Sequence, residues 1–235
     1  MKKILTVLLV VSVLATLAWH YSKSRNYQLF GEIISNVETD RKIVALTFDD
    51  GPWSSKYTQE VLSVLDELQV KGTFFLNGLG IEANLDDARK IVSSGHGIGN
   101  HSYSHKTLML RGYQNIADEV GRTNELIRSA GYTGEIYFRP PFGKKLFMLP
   151  YYLDQTGMTT VTWDVEPETY IEASKNSSSM VEHVVANTRS GSIILLHVLG
   201  SKNNTARAAL PEIVKQLRAQ GYRFVLLEEL FQENA

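Results

Sequence analysis

Along the chain, short apolar runs alternate with amphipathic stretches. The runs 42–48, Thr73–Leu76, 98–100, 136–139, 159–163, 192–196 and 223–227 predict strands. Most are rich in β-branched or aromatic residues, as parallel strands buried on both faces tend to be. Between them, Val61, Val64, Leu65 and Leu68 fall at i, i+3, i+4 and i+7, and Leu210, Ile213, Val214 and Leu217 repeat that spacing, which predicts helices with one apolar face. Glycine-containing turns such as Lys71-Gly72 and Gln220-Gly221-Tyr222 follow several of the helical stretches. Repeated β-then-α units predict an α/β fold with a parallel sheet and right-handed crossovers. Seven such units suit a barrel-like closure better than an open sheet. No internal repeat is visible, and the one low-complexity patch, 174–179, reads as an exposed loop.

The N-terminus follows a different pattern. Lys2 and Lys3 precede an unbroken, mostly apolar run over 4–19, apolar on every face, and polar residues return over 20–26. This is the layout of a secretory signal or a membrane anchor, with the lysines on the cytoplasmic side. The run is shorter than the ~20 residues of an ideal span, which favours a cleaved signal. The lack of a clean small-x-small site, Thr16-Leu17-Ala18 being the best on offer, favours a retained signal anchor, and that is the reading adopted. The expected organisation is a signal anchor or signal peptide over 1–20, a polar linker over 21–40 and one catalytic domain over 41–235. That domain lies outside the cytoplasm, membrane-anchored, or secreted or periplasmic if the N-terminus is cleaved.

Composition narrows the picture further. With 235 residues, 43% of them hydrophobic, the chain can bury one substantial core. A net charge of −1 gives no overall attraction to nucleic acid, and none is expected as a partner. There is no cysteine, so disulfides and thiolate metal sites are excluded.

The unusual polar residues gather at the C-terminal ends of the expected strands, where α/β barrels carry their reactive groups. Asp49 and Asp50 follow the first strand and His101 the third; Arg139 ends the fourth, Asp164 follows the fifth and His197 the sixth. In Asp49-Asp50-Gly51-Pro52, Asp-Gly and Gly-Pro are also ordinary turn chemistry. Two successive extended residues point to opposite sides, so both carboxylates reach one site only where the chain kinks, and Gly51 and Pro52 supply the means. His101 and His105, four apart, can face one point from a helical turn or a loop that imitates one. With a carboxylate from a neighbouring strand end they make a two-His-one-carboxylate set with open positions, suited to zinc or another divalent first-row metal. Arg139, ending a buried strand, needs an anionic partner. His197 caps a strand end or does chemistry there.

Together these residues resemble the polysaccharide deacetylase family, whose catalytic unit is the NodB-homology domain of carbohydrate esterase family 4. Thr47-Phe48-Asp49-Asp50-Gly51-Pro52, His101-Ser102-Tyr103-Ser104-His105, Arg139-Pro140-Pro141-Phe142-Gly143 and Leu195-Leu196-His197 appear in the family's order, across most of the chain from Lys42 to Leu230. The resemblance implies a distorted seven-stranded (β/α) barrel. It also implies Asp50, His101 and His105 as metal ligands, Asp49 as general base, Arg139 orienting Asp49 and His197 as general acid. The Phe142 N–H, in the loop with Pro141, would share the oxyanion with the metal, one divalent ion, zinc by preference, with cobalt or another first-row metal as substitutes. The implied reaction removes N-acetyl groups from a GlcNAc-containing polysaccharide. O-deacetylation of an acetylated glycan and non-catalytic glycan binding are the alternatives.

One element departs. The family carries D-x-x-D-W after its fifth strand, the later aspartate supporting the acid histidine. The corresponding stretch here is Glu166-Pro167-Glu168-Thr169-Tyr170, with Thr169 at the carboxylate position and Tyr170 at that of the tryptophan. An acidic residue among Asp164, Glu166 and Glu168 is expected to take over the support of His197. Glu166 is the favourite, because its longer side chain could reach from an earlier position.

Overall fold

Strand β2 (Ile43–Asp49) is buried at every position, and the other elements are arranged around it. Its side chains alternate: Val44, Leu46 and Phe48 join the core beneath the helices, while Ile43 and Ala45 face a second, interior cluster. Thr47 and Asp49 continue the interior row and meet Arg139 there. A computed structural model describes residues 2–232, the side chain of Lys2 excepted. Of the expected segments, Met1 and residues 233–235 lie outside the described residues.

All named strand pairs are parallel. Besides β2 there are β1 (Ile33–Ile34), β3 (Thr73–Leu76), β4 (Gly97–Asn100), β5 (Thr160–Val161), β6 (Ile193–His197) and β7 (Arg223–Val225). The main sheet runs β4-β3-β2-β6. β2 pairs β6 over Ala45–Asp49 on one edge, while β3 and β7 share the other edge, at its C-terminal and N-terminal halves. Single bridges complete the ring: Asn100 to Phe138, Phe138 to Thr160, and Val165 to Ile194. The result is a distorted seven-stranded (β/α) barrel.

The distortion has local causes. The expected strand over 136–139 is reduced to bridges at Phe138, because Pro140 and Pro141 follow and neither has an N–H for a ladder. The seventh named strand is instead β1, which lies inside the expected linker and pairs β5. The rest of 21–40 is also docked: Thr162 Oγ1 donates to the Arg25 carbonyl at 2.6 Å, and Val37 N–H to that of Gly191 at 2.9 Å. The linker expectation is therefore corrected to a strap lying on the domain.

The helices follow their apolar spacing. Helix Ser55–Glu67 buries Val61 and Leu65, with Val64 and Leu68 partly buried. Helix Asn204–Ala219 buries Leu210, Ile213, Val214 and Leu217. The patch 174–179, expected as a loop, holds the end of one helix (Ile171–Ser174) and the start of another (Ser177–Asn187). Asn176 caps the second by accepting the Ser179 N–H at 2.9 Å, the role short polar side chains favour. At the N-terminus, helix Lys2–Ser22 outlasts the apolar run by three residues. Its stretch Lys3–Ser22 is 20 residues long, apolar and, before Ser22, not buried, enough to serve as a signal or anchor sequence.

Candidate active site

The site lies where β2, β4 and β6 end. Asp49 is the last residue of β2 and keeps the strand's inward direction. Asp50 does not continue it: its φ is 75°, so the kink that brings the second carboxylate round falls on Asp50 itself, one residue before Gly51. Ser102 (φ 63°), His105 (φ 57°) and Phe142 (φ 60°) are also left-handed. Such backbones cost of order 1–3 kcal/mol each in non-glycine residues, and they cluster where geometry matters more than stability.

The backbone next to Asp50 and the loop 101–105 are held by side chains of neighbouring elements. Asn77, after β3, accepts the Gly51 N–H at 3.2 Å and donates to the His101 carbonyl at 3.0 Å. Asn100 Oδ1 accepts the Ser102 N–H at 2.8 Å. Glu119, on helix Tyr113–Ser129, accepts the N–H groups of Tyr103 and Ser104 at 3.0 and 2.9 Å and the Ser104 hydroxyl at 2.6 Å. The 101–105 segment is thus a loop folded tightly enough to imitate a helical turn, with its two imidazole rings 4.9 Å apart. These supports were missed from sequence. Asn77 and Asn100 sit at strand ends and could have been suspected, whereas nothing in the spacing connects Glu119 with the loop.

His101 Nδ1 lies 2.7 Å from the Arg139 carbonyl. A carbonyl only accepts, so Nδ1 carries the proton and Nε2 presents a lone pair. That Nε2 is 3.9 Å from Asp50 Oδ1, and His105 Nε2 is 3.3 Å from the same oxygen. Ligand atoms at tetrahedral zinc distances would be roughly 3.3 Å apart, so the set fits after small adjustments. Asp50 Oδ1 is also buried without a hydrogen-bond partner among the described residues, which a cation would supply. Burial raises the Asp50 carboxyl above its usual range, against the pull of His101 and His197, so its ionised form lacks compensation within the protein. Asp50, His101 and His105 together form a site able to hold a divalent metal. His101→Ala is expected to lower bound metal from near one ion per chain to near none after dialysis, read by elemental analysis. Undiminished activity after exhaustive chelation would count against a metal role.

Asp49 is anchored on the far side of this set. Its Oδ1 accepts from Arg139 Nη1 at 2.7 Å, and its Oδ2 is 3.5 Å from His101 Nε2. Arg139 is fully buried and also donates to Thr47 Oγ1 and to the carbonyls of Val161 and Thr162, with its guanidinium 3.9 Å from the Phe75 ring. Burial works to raise the Asp49 carboxyl, but Arg139, with His101 and His197, brings it below its usual value, so it stays ionised at neutral pH.

His197 ends β6 opposite Asp50, its Nε2 4.0 Å from Asp50 Oδ2. The carboxylate beneath it is Glu168: Oε2 is 3.1 Å from Nδ1, and Oε1 accepts the His197 N–H at 2.8 Å. Expected support by Glu166 is corrected. The Glu166 carboxylate curls back onto its own turn, accepting the Thr169 N–H at 2.9 Å and the Thr169 hydroxyl at 2.6 Å, and faces Arg25 at 3.7 Å. Asp164 is also occupied, by Ser192 Oγ and the Ile193 N–H. The extra methylene of glutamate lets position 168 serve in place of 169. Burial alone would lower the His197 pKa, but the bond to Glu168 and the surrounding carboxylates raise it to about 9.

These groups open into a cavity of about 340 Å³, lined also by Phe142, Trp163, Glu166, Thr169 and Leu195. Trp163 Nε1 is buried without a hydrogen-bond partner among the described residues. Phe142 occupies a short turn, Pro141–Gly143, and its ring is exposed, 4.8 Å from that of His105. Pro141 is buried beneath it.

Comparison with known proteins agrees with this geometry. The polysaccharide deacetylase family profile matches residues 36–161. A peptidoglycan-N-acetylglucosamine deacetylase of Bacillus cereus is 32% identical over 205 residues, covering 85% of this chain and 93% of that protein. Among solved structures, a peptidoglycan N-acetylglucosamine deacetylase superposes with a TM-score of 0.78 at 31% identity, covering 84% of this chain and 92% of that one. A family 4 acetyl xylan esterase from Clostridium thermocellum, solved with a cobalt ion, gives 0.74 at 35%, covering 81% and 91%. The chain belongs to the polysaccharide deacetylase family, as a metal-dependent hydrolase acting on acetylated glycans.

Proposed function

We propose that this protein hydrolyses the N-acetyl amide of a GlcNAc-containing glycan, releasing acetate and a free amine outside the cytoplasm. Zinc is the preferred metal, on Asp50, His101 and His105, and the N-terminal helix is the anchor. The observation that carries the reading is the Glu168–His197 pair. An amine leaves an amide only once protonated, and a histidine raised to about 9 holds that proton at neutral pH. An alcohol leaves an ester more readily and needs the donor less.

A bound divalent ion lowers the pKa of water and polarises a carbonyl. In this reading the chain's own residues do the rest. Asp49, ionised and held by Arg139, takes the proton of the attacking water. The Phe142 N–H donates to the developing oxyanion: the neighbouring Gly143 and Lys144 N–H groups are used within the turn, by the carbonyls of Pro140 and Pro141. His197 gives its proton to the departing nitrogen.

Likeness to an acetyl xylan esterase favours a second reading, O-deacetylation. Acetate release measured side by side on peptidoglycan, chitin oligomers and acetylated xylan separates the two. Activity confined to the xylan would overturn the first.

Glu168→Gln tests the acid directly. Wild-type activity should hold through neutral pH and fall as His197 loses its proton, at or below about 9, since a bound cation opposes the raised value. Removing the carboxylate lowers the His197 pKa, so the alkaline limb should move to lower pH, and amide turnover should suffer more than ester turnover. An unmoved limb would show that Glu168 is only a structural partner.

A further inference from the structure

The residues joining the apolar helix to the domain are bonded to it throughout. Ser22, the last residue of the helix, is fully buried, and its carbonyl accepts the Lys145 N–H at 2.8 Å. Lys145 is also fully buried, and its ammonium donates to the Ser24 carbonyl. That puts a cation just beyond the C-terminal end of a helix, where free carbonyls and the helix dipole favour one. The Arg25 carbonyl takes the Thr162 hydroxyl, and the Arg25 guanidinium lies 4.8 Å from the Trp163 ring and 3.7 Å from Glu166. The helix exit is therefore tied both to the loop that carries Phe142 and to the wall of the cavity.

The surface around this exit is aromatic and basic. Lys23 and Lys144 lie over the Trp19 ring, their Nζ atoms 4.1 and 5.1 Å from its centroid. Just beyond Lys145, the exposed rings of Phe147 and Tyr151 pack against Phe30 of the strap at 5.1 and 5.4 Å. Tyr113 extends the cluster, 6.5 Å from Tyr151. Phe147 is 49% exposed, an unusual state for a ring already grouped with others. Aromatic rings and lysines together are what the membrane–water interface selects, the rings at headgroup level and the ammonium groups reaching for phosphate.

We propose that this face, Phe30, Phe147 and Tyr151 flanked by Lys23 and Lys144, rests in the headgroup layer of the bilayer crossed by the N-terminal helix. The inference rests on the reading of that helix as an anchor. Two observations select lipid over a protein partner. The patch is continuous with an apolar helix exposed over residues 3–17, and the charges stacked on Trp19 are lysines, the sign that anionic headgroups attract. Because the strap is bonded in place, the domain cannot swing away as on a free tether. The cavity mouth then opens at the membrane surface, and the glycan within reach is the membrane-proximal part of the polymer.

The chain has no cysteine, so single-cysteine variants of the full-length protein can be labelled at one place each. Phe147→Cys, Tyr151→Cys and Gln220→Cys would carry a nitroxide, in vesicles of phosphatidylcholine and phosphatidylglycerol. Gln220 precedes β7, at the opposite end of the barrel from the cavity. Accessibility to oxygen and to a water-soluble nickel chelate reports depth. The expected result is headgroup depth for labels at 147 and 151 and full aqueous exposure at 220, each variant keeping its activity on a soluble substrate. Protein that floats with the vesicles while all three labels stay aqueous would overturn the docking and leave the anchor intact. Protein that does not float would overturn both. Headgroup depth at 220 as well would overturn the orientation.

Discussion

Asp49→Asn is expected to lower turnover by about 10²–10⁴-fold, the usual loss when a positioned general base is removed, while bound metal stays at the wild-type level. The geometry separates this residue from its neighbour. Asp49 points inward to Arg139, whereas the left-handed backbone at Asp50 turns the next carboxylate toward His105 at 3.3 Å. Asparagine keeps an oxygen to accept from Arg139 but cannot take a proton from water. Arg139 also retains Thr47, Val161 and Thr162 as acceptors, so the variant should fold, with a lowered melting temperature from the lost charge pair. Steady-state kinetics with elemental analysis on the same samples checks both halves. If Asp49→Asn loses metal and Asp50→Asn keeps it, the two roles are exchanged.

What the sequence disclosed follows from how local the cause is. Strand β2 reads directly from its composition because all seven residues are buried, and the reactive groups read from their places at strand ends. His101 and His105 were legible as a pair because they share one loop, whereas the choice of Asp50 over Asp49 beside them came from the family resemblance rather than from spacing. The run 136–139 looked like a full strand by composition, but the prolines after it decide how little of it pairs. The strap over 21–40 was illegible because its docking depends on partners more than a hundred residues away, Lys145 and Thr162. The partner of His197 turned on side-chain direction within one turn. Glu166 and Glu168 are two apart, and only the bonds from Thr169 to Glu166 show which of them is already taken. Periodicity sees which face a residue occupies; it does not see which acceptor has been claimed.

Arg139→Met is expected to produce the largest loss of stability, about 3–5 kcal/mol, because it strands a buried carboxylate. Asp49 is 2% exposed, and burial is the largest influence on its carboxyl, opposed first by Arg139. With the guanidinium present, the folded pKa of Asp49 lies below its unfolded value. The stabilisation is then fully present above the unfolded pKa and is lost as pH falls through the lower, folded one. Without Arg139 the burial effect is unopposed by its main partner, and the folded pKa should rise above the unfolded value. The variant would then relieve its strain by taking up a proton. Its deficit relative to wild type should be full at neutral pH and shrink on acidification, as Asp49 is neutralised in both proteins. Denaturant titrations of chelator-treated protein at several pH values would show this convergence. Methionine fills much of the arginine's volume, so a cavity contributes little to the difference. Arg139→Met combined with Asp49→Asn should recover part of the stability at neutral pH while turnover stays low. A deficit that does not change with pH, and is not relieved in the double variant, would mean that Arg139 acts through packing on Phe75 and Trp163 rather than through the Asp49 charge.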